Sequence, residues 1–358
     1  MASPEPGRRL AVKDLFDTAG LRTTYGSAIF ADHVPEKTAE SVRLLETAGY
    51  VDVGKTNLHE FAYGVTSENP HYGAVPNPLA EGRSAGGSSG GSAAALAAGL
   101  ADAALGSDSA GSIRIPAACC GVVGFKPSFG LVPIDGCFPL APTFDHAGPM
   151  TREVGECVRM MQALVPGFEA EDVELSELRA AVAWLDEADP LVRTRVEEAA
   201  ARFPNRGPVA LPVPDREGWG AAFRREALEA HTGLFPERAD EYGDDVRRSL
   251  EAACELTDAE VTAAQRLRES LRDEVAETLA GFDLVVTPTL SCVAPLYGHG
   301  TRTVLTKLTA LFNLTGWPAL ALPCGPAEEG LPASTQLAAP TGQDALVLAA
   351  GAALEREL

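Results

Sequence analysis

GGSSGGSAAALAAGLADAALGSDSAGSIRIPA, residues 86–117, carries two serines, Ser88 and Ser112, 24 residues apart, each in a glycine-rich turn. Glycine lets the backbone reach positive φ and approach a ligand closely, so such turns can present a hydroxyl to a bound carbonyl. Ser88 precedes the alanine-rich run Ser92 to Leu100, which predicts a helix; its first N–H groups have no partner within the helix and stand ready as donors. A Gly/Ser cluster standing alone has the composition of a flexible linker. Here the cluster opens an apolar helix, and a second glycine turn and then Ile113-Arg114-Ile115-Pro116 follow. A linker has no such order.

Outward from this stretch, the chain alternates helix and strand patterns. Thr38 to Gly49 opens with capping residues, carries Val42, Leu44, Leu45 and Ala48, and stops at glycine, predicting a helix. Tyr50 to Gly54 predicts a strand, Asn57 to Tyr63 a further helix, and Gly121 to Pro127 another buried strand. Residues 166–280 are dense in Glu, Arg and Ala and read as a helical cover over one side of a sheet, with charge runs on solvated faces. Asp283 to Thr289 predicts a strand stopped by proline, and Phe312 to Leu320 a turn into a strand. Repeated units of this kind imply an α/β fold with helices on the sheet faces.

The 358 residues suffice for one large or two modest domains. A net charge of −21 argues against nucleic acid, which needs clustered Lys and Arg, and against anionic membranes. No apolar run reaches the roughly 18 residues of a membrane helix, and the first residues lack a signal-peptide core. The seven cysteines are scattered without CxxC spacing, so reduced thiols in a cytoplasm are expected. Six scattered histidines give a zinc site no support; neither metal nor cofactor is expected.

The run Gly86 to Ser89-Gly90-Gly91, with Asp108, Ala110, Ser112-Ile113-Arg114 and Pro116, resembles the amidase signature family of Ser-cisSer-Lys amidohydrolases. Ala11-Val12-Lys13-Asp14, 75 residues before Ser88, and the blocks after Phe282 resemble it too. The resemblance implies a single amidase domain over residues 1–358, with 166–280 a covering subregion, built on a central mixed twisted sheet with helices on both faces. It implies amide hydrolysis through an acyl-Ser112 intermediate, with Ser88 as proton relay, after a cis Gly87–Ser88 bond, and Lys13 as base. A lysine acts as a base only when neutral, so burial must lower its pKa, and the apolar Leu10-Ala11-Val12 before it is consistent with that. Lys55 belongs to a different block of the family.

The same resemblance assigns the oxyanion hole to the amides of Ser109, Ala110, Gly111 and Ser112, each such donor contributing about 2.7–4 kcal/mol in the transition state. Most relatives carry glycine where this chain has Ala110; the family pattern allows alanine, whose backbone must avoid strongly positive φ. Asp108 and Arg114 are expected to pair and brace the loop. Phe61, Tyr63, His71, Ser89 and Phe138 are candidates for the substrate pocket. Glu68 to Gly73 resembles a block of plant indole-3-acetamide hydrolases, which implies small neutral acyl groups. The expected partner is therefore a small-molecule amide. A glutaminase subunit of an amidotransferase working with a partner, or acyl transfer to an amine, are the alternatives on the same site. Relatives often dimerise through longer N-terminal helices; only twelve residues precede Lys13 here, and a homodimer stays open.

Overall fold

Leu10-Ala11-Val12 forms the middle of a strand second from one edge of a ten-stranded sheet. A computed structural model of the chain describes residues 7–358. The first strands are β1 (Arg8–Lys13) and β2 (Tyr50–Thr56), followed by a small separate ribbon of β3 (Glu68–Asn69) and β4 (Gly73–Ala74). Next come β5 (Ala103–Asp108), β6 (Val123–Lys126), β7 (His146–Thr151), β8 (Arg179–Val182) and β9 (Asn205–Pro208). The last are β10 (Leu284–Pro288), β11 (Ala319–Pro326) and β12 (Pro332–Ala338). Across the large sheet the order is β2-β1-β5-β7-β6-β11-β12-β10-β8-β9. The β2-β1-β5 and β10-β8-β9 edges are parallel and the middle is antiparallel, so the sheet is mixed, as the resemblance implies.

Helices α1 (Glu40–Thr47), α2 (Gly90–Ala97) and α3 (Arg114–Cys120) lie among the first seven strands in the chain, and α4 (Val154–Leu164) follows β7. Side chains alternate across a strand with period two, and the pattern decides which helix meets which face. Leu10, Val12 and Leu105 cluster with Val42 and Leu45 of α1 and Met160 of α4. Ala11, Ala104 and Ala321 cluster with Ala93 and Leu96 of α2 and with Ala117 of α3. Small residues thus line the second face, where α2 and α3 settle close to the strands. At Gly106 a Cβ would stand 3.0 Å from Ile113 Cγ1 and 3.1 Å from Ser89 Oγ, tighter than ordinary contact. That closeness brings both glycine turns against the carboxyl end of β5.

The later helices are α5 (Pro190–Ala200), α6 (Arg216–Ala230), α7 (Asp244–Cys254) and α8 (Asp258–Thr278). After them come the short α9 (Arg302–Leu305) and α10 (Ala310–Thr315), then α11 (Asp344–Glu355). α6 packs on both α7 and α8, and α5 packs on β10, β11 and β12. α8 begins with a reciprocal cap in which Thr257 and Glu260 bond each other's backbone N–H groups.

Three expectations need correction. Residues 166–280 are not purely a helical cover: they also supply β8 and β9, which complete one edge of the sheet. Asn57 to Tyr63 is no helix beyond a single turn, because Phe61 and Ala62 take φ of 49° and 58°. Phe312 to Thr315 lies within α10, not in a turn.

Candidate active site

β1 and β5 run parallel with Val12 opposite Leu105, so their carboxyl ends bring Lys13 beside Ser107 and Asp108. Crevices outside the carboxyl ends of parallel strands are where α/β sheets bind ligands. Lys13 is fully buried, with Nζ 2.7 Å from Ser88 Oγ and 2.7 Å from Ser107 Oγ. Among the described residues no carboxylate lies within ion-pair distance of it. Burial lowers the ammonium pKa to about 7, a shift that the more distant Cys137, Asp108 and Asp145 only partly oppose.

Ser88 follows a cis Gly87–Ser88 bond, as the resemblance implies. Its carbonyl accepts bonds from the His59 N–H at 3.2 Å and the Ser67 hydroxyl at 3.1 Å, which hold the turn. Ser112 lines a small cleft of about 30 Å³. Among the described residues no side-chain hydrogen bond joins the Ser88 and Ser112 hydroxyls. The two turns are tied through the backbone instead, where Ser89 N–H donates to the Ser112 carbonyl at 3.2 Å.

Asp108 organises the second turn. Its carboxylate accepts from Gly111 N–H at 2.7 Å, from Ile113 N–H at 3.2 Å and from two Arg114 nitrogens at 3.0 Å. Burial by itself would raise this carboxyl, but the Arg114 guanidinium outweighs it and holds the group below the usual carboxylate range. Arg114 reaches on to the Thr309 carbonyl and Gln336 Oε1, both at 2.8 Å, and to Asn313 Oδ1 at 2.6 Å. The expected Asp108–Arg114 brace is therefore present.

One amide drops out of the expected oxyanion hole: the Gly111 N–H is taken by Asp108. The amides of Ser109, Ala110 and Ser112 have no acceptor among the described residues. Ala110 keeps negative φ while Gly111 sits at +132°, where a Cβ would run into the Thr309 side chain. The turn thus tolerates alanine at 110 but needs glycine at 111.

A family model described as Amidase matches residues 7–214 and 215–348. The chain belongs to the amidase family. It is 32% identical to a glutamyl-tRNA(Gln) amidotransferase subunit of Akkermansia muciniphila, over 99% of this chain and 87% of that one. It is 35% identical to AtzE, a 1-carboxybiuret hydrolase subunit of Pseudomonas sp. (strain ADP), over 98% of this chain and 84% of that one. A crystal structure of an amidase matches with a TM-score of 0.90 and 37% identity, covering 98% of this chain and 84% of its own. The chemistry of the family is hydrolysis at carbon–nitrogen bonds.

Of the candidate pocket residues in this amidase, Tyr63 lines the Ser112 cleft. Phe138 lines a second small cavity beside Ser107, Cys137 and Asp145. Phe61 is core: it is fully buried, with its ring 4.9 Å from Phe138 and 4.7 Å from His231. His71 stays in its loop, with Nε2 2.9 Å from Glu60 Oε1. Ser89 braces β5, its hydroxyl 3.2 Å from the Ser107 carbonyl. Lys55 pairs with Asp14 at 3.7 Å, apart from the two serines.

Sequence reasoning missed Ser107, Asp145, Arg216 and Arg302. Ser107 meets Lys13 only because β5 pairs with β1. Asp145 accepts from the Ser109 hydroxyl at 2.5 Å and from the Leu140 and Ala141 amides, and burial raises its pKa. Arg216 and Arg302 line the Ser112 cleft, the first of them from the region whose charges read as solvated.

Proposed function

We propose that the protein is an amidohydrolase that cleaves the C–N bond of a small carboxamide through an acyl-Ser112 intermediate. Neutral Lys13 takes the Ser88 hydroxyl proton while Ser88 takes that of Ser112, and Ser112 Oγ attacks the carbonyl carbon. The amides of Ala110 and Ser112, with that of Ser109, receive the developing oxyanion. Collapse expels the amine, which leaves with the proton returned through Ser88, and water then releases the acid by the same route. The observation that carries this reading is a buried lysine, without a carboxylate partner among the described residues, 2.7 Å from the Ser88 hydroxyl.

We extend the proposal to one amidase domain spanning residues 1–358, with reduced cysteines in a cytoplasm. Ammonia or amine release from a panel of primary amides, anilides and ureas tests the activity, together with a serine-directed fluorophosphonate. Ser112→Ala should lose both turnover and labelling. An acyl-enzyme mass shift that persists in Ser112→Ala would sink the assignment. The second reading, a glutaminase subunit of an amidotransferase, is favoured by the amidotransferase relative from Akkermansia muciniphila. Glutamine hydrolysis that appears only when a partner protein is added would select it.

A further inference from the structure

The cleft at Ser112 has a charge that the rest of the molecule does not prepare for. The protein carries a net charge of −21, yet among the described residues two arginines and no acidic side chain line this cleft. The side chain of Arg216, at the start of α6, makes no hydrogen bond or ion pair with any described residue; its guanidinium carbon lies 5.4 Å from the Trp219 ring centre. Burial lowers its pKa to about 10, and Arg302 and Arg224 push the same way. Arg302 is held from behind by the Ser249 hydroxyl at 2.7 Å and by the Tyr63 carbonyl, and its guanidinium carbon stands 5.0 Å over the Tyr63 ring. The nearest acid, Asp245, lies 3.6 Å from Arg302 and is already bound by His59 Nε2 at 2.7 Å.

Tyr63 supplies an independent observation. Tyr63 lines the cleft, and its hydroxyl is buried without a hydrogen-bond partner among the described residues. A buried donor left unmatched is costly, and the partly buried Arg216 guanidinium has no counter-charge among the described residues. One missing group satisfies both: an anion with oxygens for a guanidinium fork and a phenol O–H. On the assignment of Ser112 as the attacking atom, we propose that Arg216, Arg302 and the Tyr63 hydroxyl seat a carboxylate carried by the substrate. The substrate class is then small anionic carboxamides, in place of the neutral acyl groups the resemblance implies.

The test compares malonamate, succinamate and glutaramate with neutral counterparts in which a methyl ketone replaces the carboxylate, reading ammonia release. At least one anionic amide should exceed its neutral counterpart in kcat/KM by about a hundredfold or more, since a site built for a polar group rejects analogues lacking it. Arg216→Gln should collapse that ratio, mostly through KM. Arg216→Lys, which keeps the charge but not the fork, reads the same ratio should Arg216→Gln fail to fold. Preference for the neutral series, or equal loss on both series in Arg216→Gln, overturns the proposal. Tighter use of 3-phosphonopropanamide than of succinamate overturns the choice of carboxylate.

Calorimetric binding of the same amides to Ser112→Ala separates this seat from the chemistry. Arg216-dependent binding of an anionic amide, with no hydrolysis by the unaltered enzyme, keeps the seat and removes the hydrolase reading. Hydrolysis of neutral amides without any such binding does the reverse.

Discussion

Lys13 is the residue on which the chemistry and the stability of the site pull in opposite directions. Its pKa of about 7, against 10.5 for an ordinary lysine, leaves it half neutral near physiological pH. Activity should therefore rise with pH through a limb near 7 to an alkaline plateau. Lys13→Arg should be severely impaired throughout, because guanidinium keeps its proton. A near wild-type rate with an unchanged profile in Lys13→Arg would move the base elsewhere. For stability the sign follows from proton counting: between pH 7 and 10.5 the unfolded chain binds more protons at this lysine than the folded one, so folding is favoured as pH rises. Lys13→Met should accordingly raise the melting temperature, most at pH 6 and least above pH 10. Ser88→Ala should slow turnover by about 10²–10⁴-fold, the usual weight of a positioned proton carrier. Single-turnover rates equal to wild type would remove Ser88 from the path. The family resemblance singles out Lys13, Ser88 and Ser112 in the sequence, and the fold sets Lys13 beside Ser88. Ser107 could not be read from the sequence, since only strand pairing sets it beside Lys13, nor could the use of the Gly111 amide by Asp108.

At the scale of the element, the nucleophile turn depends on what α10 places against it. Thr309 Oγ1 donates to the Ala110 carbonyl at 2.6 Å and occupies the space a side chain at 111 would need. Gly111→Ala should displace the turn and lower kcat by about a hundredfold, the loss expected when one oxyanion donor moves out of line. Normal kcat in that variant would show that the turn absorbs a Cβ. By contrast, Thr257→Ala, which removes the cap of α8, should cost about 1 kcal/mol of stability in thermal unfolding with little change in kcat. β2 was legible by alternation, and β10 by an apolar run that proline stops. β8 and β9 escaped because each has only four residues, and Asn205-Arg206-Gly207-Pro208 has no apolar alternation to follow. Asn57 to Tyr63 misled because its composition suits a helix, while the chain turns through positive φ there.

Across the whole molecule, the buried Asp108–Arg114 pair is the knot between distant parts of the sequence. Arg114 leaves the nucleophile turn and bonds Thr309, Asn313 and Gln336, so α10 and β12 both bear on the turn. Removing one partner of such a pair leaves a buried charge uncompensated; Arg114→Ala should cost about 3–5 kcal/mol in denaturant unfolding. A loss under about 1 kcal/mol, the weight of an exposed pair, would mean that the pair is not holding the turn. The sheet order repeats the theme at larger size, since β11 and β12 from the last part of the chain insert between β6 and β10.

That interleaving sets a timetable for the growing chain. Lys13, Ser88 and Ser112 have all left the ribosome long before the residues that hold the nucleophile turn in shape. On the proposed assignment, a chain still in synthesis holds its nucleophile before α10 and β12 can brace the turn that carries it. A chain cut before β12 should therefore show no amide turnover although it holds all three residues, and turnover by such a truncation would show that the brace from Gln336 is dispensable.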